Sequence, residues 1–252
     1  MSARLIDLGS ASVIYRSGPL WARRTVEAVR EVSFCVEPGE IVGMVGESGS
    51  GKTTAGKLCL GVLQPSSGTA MFDGHSPIDR SCRRGQMAVV LQHPEWALNP
   101  RLKVAISIAE PLSIQSGVSS QARMRRIEEA LTMVGLDAGF AQRYPYELSG
   151  GQRQRIAIAR ALVTRPRFVV FDEAVSALDV SIQTQVLNLI KQLQAEGGFA
   201  ALFISHDLAA TRYVADRIIV MRYGEIVEQA PVRRFYERPS HPYSQALFDT
   251  IA

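Results

Sequence analysis

Gly46-Glu-Ser48-Gly49-Ser50-Gly51-Lys52-Thr53 has the composition and spacing of a loop that wraps phosphate groups. Its glycines let the backbone turn tightly, so that successive N–H groups face inward at phosphate oxygens. Lys52 is placed to neutralise the β- and γ-phosphates, and Thr53 to offer its hydroxyl to Mg²⁺. The apolar run Ile41–Val45 reads as a strand before the loop, and Thr54–Leu63 as a helix behind it. A helix amino terminus adds its partial positive charge to the cradle. The bland alternative is a Gly/Ser-rich turn that happens to end in Lys-Thr, and the flanking strand and helix weigh against it. The motif implies a nucleoside triphosphate without saying what is done with it.

Phe168–Phe171 reads as a second strand, ending in Asp172-Glu173. Such a strand delivers both carboxylates to the carboxyl edge of an open α/β sheet, where ligands bind. Asp172 would hold Mg²⁺ there, directly or through water. Glu173 would act as general base for an attacking water, a role that typically contributes about 10²–10⁴-fold. Acidic pairs also start helices, so the company of the phosphate loop is what favours chemistry. Leu148-Ser149-Gly150-Gly151-Gln152 precedes a helical run, Arg153–Thr164, and forms a second anion cradle. Taken alone it is equally a capped helix start, because Ser149 is a good N-cap.

Compact apolar runs at Ile41–Val45, Met87–Leu91, Phe168–Phe171, Ala200–Ile204 and Ile218–Met221 alternate with helical patterns. Runs apolar on both faces suit buried parallel strands, so an α/β layout is expected. Leu5–Tyr15 and Val32–Val36 read as antiparallel strands joined by a charged loop over Arg16–Arg30. From about 94 to 160 strand runs disappear, which implies a helical lobe inserted into the sheet domain. Within it Arg123–Gly135 reads as an amphipathic helix closed by Gly135. Val180–Glu196 is a further helix, with Ile182, Val186, Leu189, Ile190 and Leu193 on one stripe and Gly197-Gly198 at its end.

With these motifs in this order, the chain resembles the ABC ATPase family over essentially its whole length. Gln92 matches the family's Q-loop glutamine, Ser176-Ala177-Leu178-Asp179 its D-loop, and His206 the histidine that senses the γ-phosphate. Tyr15 resembles the aromatic residue that stacks on adenine. The resemblance implies an α/β fold with a RecA-like P-loop NTPase core, an amino-terminal antiparallel β region and the helical lobe, all in one ATPase domain spanning 1–252. It implies ATP and Mg²⁺ as cofactors. Gly46, Ser48, Gly49, Ser50, Gly51, Lys52, Thr53, Thr54 and Gln92 then bind nucleotide in one chain, and Ser149, Gly150, Gly151, Gln152 and Asp179 meet it from a second chain. Thr53, Gln92 and Asp172 hold the metal, and Lys52, Gln92, Glu173 and His206 carry the catalysis. It also implies a head-to-tail dimer with a second ATPase subunit, identical or different, two membrane permeases and, indirectly, an extracytoplasmic binding protein.

Gln92-His93-Pro94 through Leu98-Asn99-Pro100-Arg101, Ala174 to Gln183, and His241-Pro242-Tyr243 resemble the oligopeptide, dipeptide and nickel importer subfamily. Ala174 departs from that pattern, which has Pro after the catalytic Glu, and alters loop stiffness without removing a catalytic atom. The chain stops soon after the His-Pro-Tyr segment, which gives weight to nickel and metal-chelate importers beside peptide importers. Two other functions compete: a non-transport ABC ATPase, and an interaction subunit that binds nucleotide with little hydrolysis. Long coiled-coil insertions or a second cassette would mark the first, and neither is present. Retained Lys52, Asp172, Glu173 and His206 argue against the second.

Hydrophobic residues make up 46% of the 252 residues and charged residues 21%, an ordinary globular balance. No apolar run nears the roughly 20 residues that a spanning helix needs. The start, Met-Ser-Ala-Arg-Leu-Ile-Asp7, has no apolar h-region, so a cytosolic chain is expected, at the inner face of the membrane through its partners. The net charge of +4, from 28 Lys+Arg against 24 Asp+Glu, is too small to argue for nucleic acid. The cluster Arg123, Arg125 and Arg126 shares its stretch with Glu128 and Glu129 and reads as a solvated helix face. Cys35, Cys59 and Cys82 lie far apart, as suits reduced thiols rather than a disulfide or metal framework.

Overall fold

A computed structural model describes residues 4–18, 24–114 and 119–249 of the chain. In order along it, the elements are β1 (Ile6–Ser17), β2 (Arg24–Val36), β3 (Ile41–Val45), α1 (Lys52–Cys59), β4 (Ser67–Phe72), α2 (Arg80–Arg83) and β5 (Met87–Leu91). They continue with α3 (Val104–Ala109), α4 (Ser120–Met133), α5 (Gly150–Leu162), β6 (Phe168–Asp172), α6 (Val180–Gly197), β7 (Ala200–Ile204), α7 (Leu208–Val214), β8 (Arg217–Arg222), β9 (Glu225–Pro231), α8 (Val232–Glu237) and α9 (Pro242–Asp249). The chain divides into two compact units, Met1–Arg83 with Ala200–Ala252, and Arg84–Phe199.

In the first unit β1 lies between β2 and β4 in an antiparallel sheet, with Ile6 opposite both Val36 and Phe72. The loop expected over Arg16–Arg30 is corrected here. Ser17 pairs with Arg24, and Tyr15 with Val26, so the pairing of both strands extends into the expected loop; residues 19–23 lie outside the described residues. The first four residues of β2 are exposed and its fifth half-buried. A strand wetted on both faces carries charged residues without the alternation that marks a half-buried one, and so it reads as loop.

The same unit holds the strand order β7-β3-β8-β9, parallel except for β9. Every residue of β3 and β7 is buried, as befits strands apolar on both faces. Helix α7 packs closely over β3: a Cβ on Gly43 would stand 2.3 Å from Thr211 Cγ2. Where β3 begins, Asp216 Oδ2 accepts the Ile41 N–H at 2.9 Å, and Arg217 pairs with Glu40 at 2.8 Å. A two-residue turn joins β8 to β9, with Tyr223 at φ 49° and Gly224 at φ 87°, the left-handed pair that a tight hairpin demands.

In the second unit β5 and β6 pair in parallel, with Leu91 opposite Asp172. Between them the described residues form helices and short 3₁₀ turns and no strand. Ser119 caps α4, accepting the Ala122 N–H, and Gly135 at φ 72° follows its end. Helix α6 starts at its Asp179 cap and stops at Gly198, which takes φ 63°. The stripe expected on α6 is buried at Val186, Leu189, Ile190 and Leu193. Leu187 joins it, and Ile182 is only half-buried.

Phe203, in the middle of β7, is fully buried. Phe203→Ala should cost about 3–5 kcal/mol of stability through lost burial and a residual cavity. Urea unfolding followed by circular dichroism measures it.

Candidate nucleotide-binding site

Strand β3 ends at Val45, and the phosphate loop begins one residue on. Gly46, Gly49 and Gly51 take φ of 147°, 79° and 105°, conformations open to glycine and strained for any side chain. Two of them also lack room for one. A Cβ on Gly46 would lie 2.1 Å from the Met221 carbonyl oxygen, and one on Gly51 would lie 2.4 Å from that of Ala28. The loop is further pinned where Gly224 N–H donates to Ser50 O at 3.0 Å, and Arg30 N–H to Gly224 O at 2.8 Å. Ala28, Met221 and Gly224 thus wall the loop through backbone atoms, which leave no side-chain signal in a sequence.

Lys52 is 5% exposed. Its Nζ donates to the carbonyls of Gly46 and Glu47, both at 2.8 Å, and lies 3.4 Å from Ser50 Oγ. An ammonium removed from water needs oxygen partners on every side, and the loop supplies them from its own backbone. Thr53 and Thr54 stand in the first turn of α1, which begins at Lys52, two residues before the helix expected from the sequence. His206 follows the neighbouring strand β7, and Met44 pairs with Ile204 across the two. The loop and His206 therefore emerge side by side from the carboxyl ends of adjacent parallel strands. Asp207 Oδ1 accepts the Ala210 N–H at 3.0 Å and starts α7 just beyond.

The second unit repeats this logic. The Leu91–Asp172 register sets Gln92 and Glu173 next to one another at the carboxyl ends of β5 and β6. Glu173 has φ 50°, a left-handed backbone that costs a non-glycine residue on the order of 1–3 kcal/mol. The turn that imposes it is held by Ser176, whose N–H and Oγ donate to Glu173 O at 3.1 and 2.9 Å. Ala174 and Val175 are buried beside it. No feature of the sequence announces that strain.

Ser149 caps α5 reciprocally. Its Oγ accepts the Gln152 N–H at 3.3 Å, and Gln152 Oε1 accepts the Ser149 N–H at 3.0 Å. Ser149 itself is exposed, Gly150 half-buried and Gly151 buried. A Cβ on Gly151 would lie 2.7 Å from Ile182 Cγ2, so α5 and the start of α6 touch at this glycine. Asp179 has a structural task too, accepting the Ile182 N–H at 3.0 Å as the cap of α6. Tyr15 is 40% exposed near the end of β1, opposite exposed Val26. Apart from Tyr15, the expected residues fall in three groups: loop and His206, Gln92 with Asp172-Glu173, and the Ser149 turn with Asp179.

The sequence profile of a family described as ABC transporter matches residues 29–176. The oligopeptide transport ATP-binding protein OppF of Bacillus subtilis (strain 168) is 47% identical over 236 residues, 91% of this chain and 77% of that protein. An ATP-binding cassette solved as a dimer in a post-hydrolysis state with ADP and Pi aligns with a TM-score of 0.80 at 30% identity, covering 90% of this chain and 99% of that one. The cbiO1 protein of Clostridium perfringens, part of an ABC transporter complex, aligns at 0.82 with 24% identity, over 94% and 92% of the two chains; it speaks to the fold alone. The fold is accordingly that of a P-loop NTPase with an amino-terminal antiparallel sheet.

Lys52→Ala removes the buried ammonium. Affinity for ATP should fall about 10–10²-fold, the worth of charge-assisted hydrogen bonds. Titration with a fluorescent ATP analogue measures it, and undiminished affinity would remove Lys52 from the phosphate site.

Proposed function

The chain belongs to the ABC transporter family, as an ATP-binding and ATP-hydrolysing subunit, and on that premise we propose that it powers an importer for peptides or for nickel and metal chelates. The 47% identity with an oligopeptide transport ATP-binding protein over nine-tenths of the chain supports this reading and favours peptides. No helix among the described residues is long and apolar enough to cross a membrane. The subunit works at the cytoplasmic face of the membrane, docked on two permease subunits that carry the substrate path. An extracytoplasmic binding protein delivers the substrate to them.

ATP enters the cradle built by Gly46 to Thr54. Loop N–H groups and the amino terminus of α1 meet the phosphates, and Lys52 exchanges loop carbonyls for β- and γ-phosphate oxygens. The cradle fits such a ligand because Gly46 and Gly51 leave no room for a side chain and its cation is already in place. Thr53, Gln92 and Asp172 offer hydroxyl, amide and carboxylate oxygens, the hard donor set that suits Mg²⁺. When bound, that ion neutralises phosphate charge and orients the leaving group. Tyr15 lies against the adenine face.

Ser149, Gly150, Gly151 and Gln152 of a second ATPase subunit, identical or different, close over the same triphosphate, with Asp179 at their side. Exposure of Ser149 at the head of the turn supports this, since a cradle for another chain's ligand must face outward. Glu173 then takes a proton from water as its oxygen attacks the γ-phosphorus, and the bond to the β-phosphate oxygen breaks to give ADP and phosphate. His206 and Gln92 report the γ-phosphate to their own strands. Loss of that phosphate removes the shared anion, and the two subunits part.

Glu173→Gln keeps the shape of the turn and removes the base. Hydrolysis in the assembled transporter should slow at least ~10²-fold while ATP still binds. A coupled phosphate-release assay checks it, and wild-type turnover would assign the proton transfer elsewhere. Ser149→Arg should abolish ATP-driven transport into vesicles yet leave the isolated chain's ATP affinity intact. A large loss of affinity in the single chain would contradict a cradle shared between subunits.

A further inference from the structure

The first peptide plane of the phosphate loop is gripped from both ends. Its carbonyl, Gly46 O, accepts from Lys52 Nζ at 2.8 Å. Its N–H, that of Glu47, donates to Tyr243 Oη at 3.1 Å. The two groups belong to one rigid unit, so fixing the N–H fixes where the carbonyl points. Gly46 offers little resistance by itself, because glycine rotates through conformations closed to other residues. Tyr243 comes from the far end of the chain, 196 residues away in sequence.

The segment that carries Tyr243 is firmly seated. Glu228 on β9 accepts from Ser240 N–H at 2.8 Å, Ser240 Oγ at 2.7 Å and His241 N–H at 3.0 Å. Burial pushes the Glu228 carboxyl up, but the Ser244 hydroxyl, with the donors of Ser240 and His241, outweighs it and holds the group below its ordinary range. Tyr243 is 7% exposed and belongs to an apolar cluster with Val45, Leu208, Val220 and Phe235. The Arg222 guanidinium covers its ring at 4.6 Å. Val45 is the last residue of β3 before the loop, so ring and hydroxyl brace the same turn from below.

We propose that Tyr243 is a positioning residue of the nucleotide site: its phenol oxygen orients the Gly46–Glu47 peptide, and through that peptide's carbonyl it sets the resting place of the Lys52 ammonium. The carboxyl-terminal segment around α9 is thereby part of the apparatus that grips phosphate. The proposal rests on the reading of residues 46–54 as the ATP cradle.

Tyr243→Phe tests it in the full-length chain, since Phe keeps the ring, the cluster and the Arg222 contact and removes only the hydroxyl. Three results are expected together. Affinity for MgATP and for MgADP falls about five- to tenfold, the worth of one hydrogen bond. In the assembled transporter KM for ATP rises by a similar factor while kcat holds. Amide exchange at Glu47, read by nuclear magnetic resonance, speeds up while the amides of β3 stay protected. Glu228→Gln, which loosens the seat from another side, should move affinity in the same direction. Unchanged affinity and unchanged Glu47 exchange in Tyr243→Phe would overturn the proposal. So would an equal loss of protection across β3, which would make Tyr243 a general stabiliser. Lys52→Ala is measured alongside: if it weakens MgATP and Tyr243→Phe does not, only Tyr243 loses its role, and if neither does, the cradle falls as well.

Discussion

A triphosphate brings several negative charges into a protein, and each must exchange water for fixed donors or the transfer is prohibitive. The buried Lys52 ammonium states the same constraint from the other side. It is kept out of water by carbonyl oxygens of Gly46 and Glu47, and it can leave them only for stronger acceptors of opposite charge. Much of the first unit can be understood as support for that exchange. β3 delivers the loop, the Tyr223-Gly224 hairpin ties it down, and the carbonyls of Ala28 and Met221 forbid any side chain at Gly51 and Gly46.

One loop supplies donors to one side of the ligand. The Ser149 turn, proposed above as a second cradle, belongs to the other unit, and its local design differs. The phosphate loop is rigid through backbone walls, whereas the Ser149 turn is held by a reciprocal cap with Gln152 and by the close approach of Ile182 to Gly151. A cap of that kind fixes the N–H groups of α5 while leaving the serine at the surface. Strain at Glu173 fits the same scheme, since a left-handed turn fixes the direction in which its side chain leaves the backbone just beyond the strand end.

The sequence made the chemistry more legible than the scaffold. Ile41–Val45 and Ala200–Ile204 coincide with β3 and β7 because a strand buried on both faces is apolar throughout, and Met87–Leu91 coincides with β5, although there only Val90 is buried and Val89 is exposed. The wetted start of β2 lacked any such pattern and read as loop. β9 carries no strand signal for a similar reason: Glu225, Glu228 and Gln229 interrupt it, although Glu228 anchors the α9 segment. At the site, side chains with distinctive chemistry were visible from spacing. What spacing could not reveal was contact through backbone atoms, the φ of Glu173, and the reach of Tyr243 to Glu47 across most of the chain. Such relations exist only once the sheet has formed.

The most direct test of the central claim is a nucleotide-bound structure of the assembled ATPase pair carrying Glu173→Gln. It should show a single ATP touched by Lys52 of one subunit and by Ser149 and Gly151 of the other. An ATP-filled, closed pair in which the Ser149 turn faces solvent on both subunits would contradict it.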